Sequence, residues 1–382
     1  MPNKLRRGLD ALASVEFTLF CLGLMMLLVF SGTIAQVHLG TYLAQKQYFH
    51  SLWVTAAIGD WDVPVFPGGI AVGALWLINL TAAFIMRFRW DKKSIGILIS
   101  HGGLILLLIA QFFSQTLAHE RQMPVDVGAT RAYSEDSRDF EIVLLRSHDT
   151  QTDEVTSIPY SVFSHRRLIP LPEKSISLAI RKWMPNAQLG MADGTLPSLA
   201  TQGIGPRIQA QEVAPVTTDE ENNQVTAYVE ILDSGKSLGV WLLSSGLGAP
   251  QSFSASGDDY RIYLRARRYY HPFALTLKEF KHDVYAGTEI PKNFSSLVHI
   301  EDPAKGVSRD TLIYMNHPLR YAGLTFYQAS FGKGDQQSIF QVVHNPAWLG
   351  PYFSCALIIL GLLLQFGMHL WIFLKKERPA RA

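Results

Sequence analysis

Ser94–Ala118 reads SIGILISHGGLILLLIAQFFSQTLA and holds no Asp, Glu, Lys or Arg over its 25 residues. A helix rises about 1.5 Å per residue, so roughly 20 predominantly apolar residues cross the hydrocarbon of a bilayer. This stretch is long enough, whereas a helix packed on a soluble core is usually shorter and amphipathic. Three further runs in the 382-residue chain are equally free of charge: Phe17–Val37, Gly68–Met86 and Ala347–Leu374. The sequence therefore predicts four transmembrane helices, at about residues 17–37, 68–86, 94–118 and 349–374.

Basic residues set the orientation, because Lys and Arg collect in cytoplasmic loops. Lys4, Arg6 and Arg7 precede the first run, and Arg87, Arg89, Lys92 and Lys93 join the second to the third. Lys375, Lys376, Arg378 and Arg381 follow the fourth, whereas the loop after the first run sets Lys46 against Asp60 and Asp62. Both termini are expected in the cytoplasm and residues 119–344 outside it, as a periplasmic domain on a protein of the inner membrane. Residues 119–344 hold 22 Lys and Arg against 26 Asp and Glu, a net of −4 that the +2 of the whole chain conceals. The first run is too long for the apolar region of a cleaved signal peptide, and its removal would invert the charge pattern that follows.

Several function classes are excluded or disfavoured. The two cysteines, Cys21 and Cys355, fall in the first and fourth runs, so the outer domain has none for a disulfide. The chain lacks a Cys-x-x-Cys pair, which rules against thioredoxin-type exchange. It also lacks a Gly-rich phosphate loop, a Gly-x-Ser-x-Gly elbow and a His-x-x-x-His metal motif. Four spans without inverted repeats disfavour a secondary transporter. No nucleic-acid partner is expected; the lipid bilayer is the partner that the composition itself demands.

Between residues 119 and 344 the pattern changes to short β-branched and aromatic runs separated by Gly, Pro, Asn and Asp. Strands are predicted at Phe140–Leu145, Thr226–Leu232, Gly239–Leu243, Tyr260–Leu264, Phe273–Phe280, Leu297–Ile300, Thr311–Met315 and Leu324–Gln328. Asn186–Gly205 has little periodicity and reads as a loop. The expected architecture is an N-terminal membrane region over residues 1–118, a large β-rich extracytoplasmic domain over 119–344 inserted between helices 3 and 4, and a fourth helix with a cytoplasmic tail over 345–382.

Within the spans, His101 stands out, because an ionisable group in hydrocarbon is costly and tends to face protein or a cofactor. It is followed by Gly102 and Gly103, whose lack of side chains would let a second helix or a flat ligand approach closely. Neutral imidazole is a common axial ligand of haem iron. A histidine that bonds a neighbouring helix or reaches toward the interface fits the same residues, and both readings stay open at this point. His369 lies about 9 Å along the fourth run from Lys375, a depth similar to that of His101, although Trp371 and Lys375 beside it look like boundary anchors. Asn79 is expected to bond another helix. Tyr42, Tyr48, Phe49, Trp53, Trp61 and Phe66 form an aromatic series suited to the headgroup region.

Several segments together resemble the ResB type of cytochrome c biogenesis protein, found in bacteria and chloroplasts. They are Ser31-Gly32-Thr33-Ile34-Ala35-Gln36 with Tyr48-Phe49-His50-Ser51, Leu77-Ile78-Asn79-Leu80, and His101 near the start of the third span. The longest are YAGTEIPKNFSS at Tyr285–Ser296 and MNHPLRYAGLTFYQAS at Met315–Ser330, followed by Val343-His344-Asn345-Pro346. Residues 146–250 carry no motif of the family. The resemblance implies one subunit of a membrane complex that exports haem and presents it to apocytochrome c for thioether attachment. It also implies a ResC-type polytopic partner that supplies a Trp-rich haem platform, with thiol-reducing proteins as further partners, so this chain alone would be inactive as a synthetase. Carried over residue by residue, His101 becomes an axial ligand of haem b, with His317 and His369 as further candidates. A structural part for His317, closing the turn before Leu324–Gln328, fits equally. A membrane-anchored scaffold without its own cofactor is the alternative.

Overall fold

The computed structural model describes residues 3–59, 61–86, 92–147, 153–171, 175–192, 198–216, 223–285, 287 and 291–377. Asp60, Arg87, Arg89, Arg378 and Arg381, used in the charge argument, lie outside these residues, as do Ala286 and Thr288–Ile290 of the Tyr285–Ser296 motif. The chain divides into two units, residues 1–119 with 344–382, and residues 120–216 with 220–343.

The first unit opens with a short helix not expected from the sequence, α1 (Asn3–Leu12), and continues with α2 (Val15–Ala44). Ser14 separates them by capping α2, its Oγ accepting from the Phe17 N–H at 3.1 Å. Past the expected end at Val37, α2 continues through a break at Gly40, where φ is +73°, and runs into one π turn at Gln45–Phe49. Hydropathy marks where the apolar run stops, and backbone hydrogen bonding carries the helix beyond that point.

The following segment, read as a loop of interfacial aromatics, is instead a hairpin of β1 (Trp53–Ile58) and β2 (Trp61–Pro67). Its aromatic series splits by environment. Tyr48, Phe49 and Phe66 pack onto Leu28, Val54 and Val72, while Trp53 and Trp61 are exposed. Gly32 makes room for this packing, since a Cβ there would lie 2.9 Å from the Phe49 ring.

The next helix, α3 (Gly69–Met86), carries Asn79, which is 1% exposed. Its side chain accepts from the Thr18 hydroxyl at 2.8 Å and donates to the carbonyls of Leu12 at 2.7 Å and Ser14 at 3.4 Å. A buried amide needs such partners, and here they tie α3 to the junction of α1 and α2. After α4 (Ile95–Leu117), the unit resumes only with the last helix of the chain.

The second unit comprises β3 (His119–Asp126), β4 (Thr130–Ser147), β5 (Asp153–Pro159), α5 (Tyr160–Phe163), β6 (Leu168–Pro170), β7 (Ile176–Met184), β8 (Ala187–Met191) and β9 (Ile208–Glu212). It continues through β10 (Thr226–Asp233), β11 (Lys236–Ser244), β12 (Gln251–Ala255), β13 (Asp258–Val284) and β14 (Pro291–Asp302). It ends with β15 (Val307–Tyr314), β16 (Leu319–Tyr321), β17 (Leu324–Gly332) and β18 (Gln337–His344). Every predicted strand segment falls within one of these except Met315, which lies just past β15. The Asn186–Gly205 loop is corrected in part, because β8 pairs antiparallel with β9.

Tyr260–Leu264 and Phe273–Phe280, predicted as two strands, are one strand, β13. Its buried positions are even in the first half, at Tyr260, Ile262 and Leu264, and odd in the second, at Phe273, Leu275 and Leu277. Strand side chains alternate strictly, so this phase change requires the register shifts seen between Ala266 and Arg267 and between Tyr270 and Leu275. Each half builds a separate core. The first half, with β4, β5 and β12, meets the four-stranded sheet β11-β10-β7-β6 over Ile142, Leu178, Val229, Ile231, Trp241 and Ile262. The second half joins β3, β14, β15, β16, β17 and β18 around Met123, Leu275, Val298, Phe326 and Phe340. The stretch of β13 between the cores carries Arg265, Arg267 and Arg268, which pair with Glu141, Asp139 and Glu135 of β4 at 2.7, 2.9 and 2.9 Å.

The chain closes with α6 (Gly350–Glu377). α2, α3, α4 and α6 are each long and apolar enough to cross a membrane, as the four uncharged runs predict. Cys21 and Cys355 are both free thiols.

Candidate functional site

α4 carries Gly96, Ser100, Gly103 and Ala110 along one side, and this stripe of small residues packs on Gly350, Ser354, Ile358 and Gly361 of α6. Side chains are missing where the backbones meet. A Cβ on Gly96 would lie 2.6 Å from the Gly361 carbonyl oxygen, and one on Gly361 would lie 2.6 Å from the Gly96 oxygen. A Cβ on Gly103 would lie 2.8 Å from the Ile358 side chain. Apolar packing gains nothing from water in lipid, so close approach of this kind is a main source of helix association there.

His101 follows Ser100 and so points about 100° away from that seam. Its Nδ1 is 2.9 Å from the carbonyl oxygen of Ile97, one turn earlier. A carbonyl only accepts, so Nδ1 carries the proton and the lone pair is on Nε2. Gly102 has nothing within 4 Å of a Cβ placed on it. The two glycines after His101 thus separate: Gly103 serves the contact with α6, and Gly102 leaves space beside the histidine.

His369 is tied to the same end of α4 through Gln365. The Gln365 amide accepts from the Ile97 N–H at 3.3 Å, and its Nε2 donates to the Lys93 carbonyl at 3.4 Å and to His369 Nε2 at 2.8 Å. His101 and His369 therefore both attach to the first turn of α4. His369 presents its acceptor nitrogen to Gln365, whereas His101 bonds the Ile97 carbonyl through Nδ1. Gln365 went unnoticed in the sequence, where an uncharged amide in an apolar run has no periodic signature.

His317 lies in the β unit, at the exposed turn between β15 and β16. Its ring stacks on Tyr314 with centroids 4.6 Å apart and planes 2° from parallel. Backbone bonds in both directions join Tyr314 and His317 around Asn316, whose φ is +62°. This geometry fits the turn-closing part that the sequence allowed for His317.

The two long motifs of the β unit converge in space. Ser296 of β14 and Ser338 of β18 both donate to Gln328 Oε1 of β17, at 2.6 and 3.1 Å, and Ser296 and Ser338 are fully buried. Asp302 accepts from the Tyr321 hydroxyl at 2.7 Å and from the Lys305 backbone, and these bonds, the phenol's foremost, hold its carboxyl below the usual aspartate range. A depressed carboxylate adds stability above the unfolded aspartate pKa, and that stability is lost as pH falls through the folded value. The stability difference between wild type and Tyr321→Phe is accordingly expected to be constant at neutral pH and to shrink in acid, as urea unfolding at a series of pH values would measure.

His282 of β13 stacks on Phe294 and touches Phe331, both with centroids 4.7 Å away. Phe294 and Phe331 belong to or directly follow the two motifs. His282 itself lies three residues before the first of them, and no spacing rule singles it out.

Haem, the group that the family resemblance implies, needs an imidazole nitrogen bearing a lone pair and room for a flat macrocycle. His101, with its Nδ1 bonded to Ile97, offers such a nitrogen, and Gly102 beside it has nothing within 4 Å of an added Cβ. Among the described residues no three His, Cys, Asp or Glu side chains gather as they would for a bare metal ion.

Comparison with known proteins places the motifs in a family. Over 92 residues, 24% of this chain and 10% of the relative, the chain is 35% identical to Protein NrfI of Wolinella succinogenes. The chain thus aligns with about a tenth of the length of that curated relative. Residues 248–343, from β12 through β18, match the model of the ResB-like family. This segment supplies most of the second β core and holds both long motifs, so the chain is similar to the ResB-like family through the same residues that carry the sequence resemblance.

Proposed function

We propose that this chain is a haem-handling subunit of a cytochrome c maturation complex in the bacterial inner membrane, with its β unit outside the cytoplasm. The observation that carries the reading is the bond from His101 Nδ1 to the Ile97 carbonyl, which assigns the proton to Nδ1 and the lone pair to Nε2. A backbone acceptor on the distal ring nitrogen is the usual way in which a ligating histidine is oriented and made more basic. Gly102 keeps the adjoining surface open for a flat ligand or for a partner helix of the ResC type. When bound, haem would supply the iron for the imidazole and the vinyl groups to which the thiols of apocytochrome c add.

The chain's own contribution is positional. α4, packed on α6, holds His101 beside a fixed seam, and the β unit would hold the apoprotein or brace the partner. Thiol addition gains mainly from being made effectively intramolecular, so holding the substrate cysteines near the vinyl groups is the chemical need. The chain would act as one subunit of a synthetase, with thiol-reducing proteins keeping the substrate cysteines available.

The test is purification of the full chain with a co-expressed ResC-type partner from membranes. The wild-type complex is expected to show Soret absorption, and His101→Ala to lose most of it together with mature cytochrome c. Gly102→Leu is expected to leave the thermal midpoint of the chain unchanged, because its space is open, while lowering haem retention. If His101→Ala keeps the full Soret band and normal cytochrome c levels, the haem reading is overturned and the chain is a scaffold.

A further inference from the structure

His282 lies at the far end of β13, directly opposite Phe294 of β14 in the strand register. Its side chain is 14% exposed and is enclosed by Phe294 and Phe331, with Phe280 stacked behind Phe331 at 5.9 Å. Nδ1 is 3.3 Å from a carboxylate oxygen of Asp335. Nε2 is buried and has no hydrogen-bond partner. A buried polar nitrogen without a partner is rare and calls for a specific explanation.

The turn that delivers Asp335 is unusual as well. Lys333, Gly334 and Asp335 have φ of +52°, +58° and +65°, three consecutive left-handed residues, two of which are not glycine. Side chains resist this conformation, and it persists where surrounding contacts hold it. Here Lys333 Nζ contacts both carboxylate oxygens of Asp126, at 3.0 and 2.8 Å, and Asp335 faces His282. The fold therefore bends a strained turn to set a carboxylate on one nitrogen of a histidine whose other nitrogen is left unsatisfied among phenylalanine rings.

Metal-binding histidines commonly hold a carboxylate on the ring nitrogen that does not face the metal, which orients the ring. A bare divalent ion would need three or four donors, and the described residues offer no such group. A porphyrin brings four nitrogens of its own, needs one imidazole, and is flat and apolar enough for a box of three phenylalanines. We infer that His282 is an external ligand nitrogen for porphyrin iron, oriented by Asp335 and reached when the half-buried Phe331 ring swings aside. This inference rests on the proposed haem-handling function and gives the β unit its own point of contact with the same ligand.

The test uses the full chain in mild detergent, titrated with ferric protoporphyrin IX and followed by the shift of the Soret band. Metal-free protoporphyrin IX, followed by fluorescence, serves as the second probe. Both titrations are run on His101→Ala combined with His369→Ala, so that neither membrane candidate reports, and on that variant combined with His282→Phe or Asp335→Asn. His282→Phe keeps an aromatic ring in the box and removes the orphaned nitrogen, so its thermal midpoint should equal or exceed that of its parent.

Asp335→Asn is expected to weaken binding of the ferric porphyrin by about 10-fold, and His282→Phe by about 100-fold or more, while the metal-free porphyrin binds all variants alike. Equal ferric-porphyrin affinity with and without His282, no binding to the chain carrying both His101→Ala and His369→Ala, or a parallel loss of the metal-free porphyrin would each overturn the assignment. The proposed role of His101 is judged separately, by comparing wild type with His101→Ala, so that either reading can fail while the other stands.

Discussion

Replacing Glu141 by alanine is expected to lower the unfolding free energy of the β unit by about 3–5 kcal/mol. Glu141 and Arg265 face each other across β4 and β13, with side chains 4% and 11% exposed. Arg265 Nε is 2.7 Å from Glu141 Oε1, the Ser157 hydroxyl donates to Oε2 at 2.5 Å, and Arg265 also donates to the Tyr263 hydroxyl at 2.6 Å. Truncating the carboxylate leaves a buried guanidinium without its counter-charge, the costly way to break such a pair. Natural domains are stable by about 5–15 kcal/mol, so the loss would consume a large share of that margin. The pair Arg261–Asp153, 3.2 Å apart but about two-fifths exposed, supplies the contrast. Asp153→Ala should change stability by less than about 1 kcal/mol, because exposed pairs are screened by water. Urea unfolding followed by the loss of far-ultraviolet β-sheet circular dichroism measures both, and similar small effects for the two variants would refute the ranking.

The second large effect is expected at Gly361. A leucine there has to displace the Ser100 hydroxyl and the backbone of α4 around Gly96 and Ser100. Overpacking a tight interior contact typically costs about 1–3 kcal/mol, and backbone, unlike a flexible side chain, has little freedom to yield. Gly361→Leu is therefore expected to lower the thermal midpoint in detergent and to disturb the first turn of α4, to which His101 and His369 attach. Gly367, six residues further along α6, has nothing within 4 Å of an added Cβ, so Gly367→Leu serves as the matched control. Equal midpoints for the two variants would mean that the α4–α6 seam adjusts more freely than its geometry implies.

The four long apolar helices were legible in the sequence because the length and absence of charge that lipid demands are local properties. The hairpin after α2 was missed, since Trp53, Trp61 and Phe66 look alike in sequence and separate only when Phe66 turns onto Leu28 and Val72. The unity of β13 was hidden by the change of buried phase near Ala266, which a strict two-residue repeat reads as an ending. β8 and β9 escaped because Gly- and Pro-rich flanks mask a short pair whose register depends on its partner.

For the candidate site the same division holds. The sequence alone singled out His101, because an ionisable ring in an uncharged run stands out without any knowledge of neighbours. It could not assign the proton to Nδ1, or separate the task of Gly103 from that of Gly102, since those depend on the Ile97 carbonyl and on α6, 250 residues away in the chain. His282 had no signal at all: its orphaned nitrogen, its phenylalanine enclosure and the left-handed turn carrying Asp335 are brought together by β13, β14 and the β17–β18 connection. What a residue is made of, and whether lipid tolerates it, is written along the chain; which nitrogen is left without a partner is decided only when distant strands close around it.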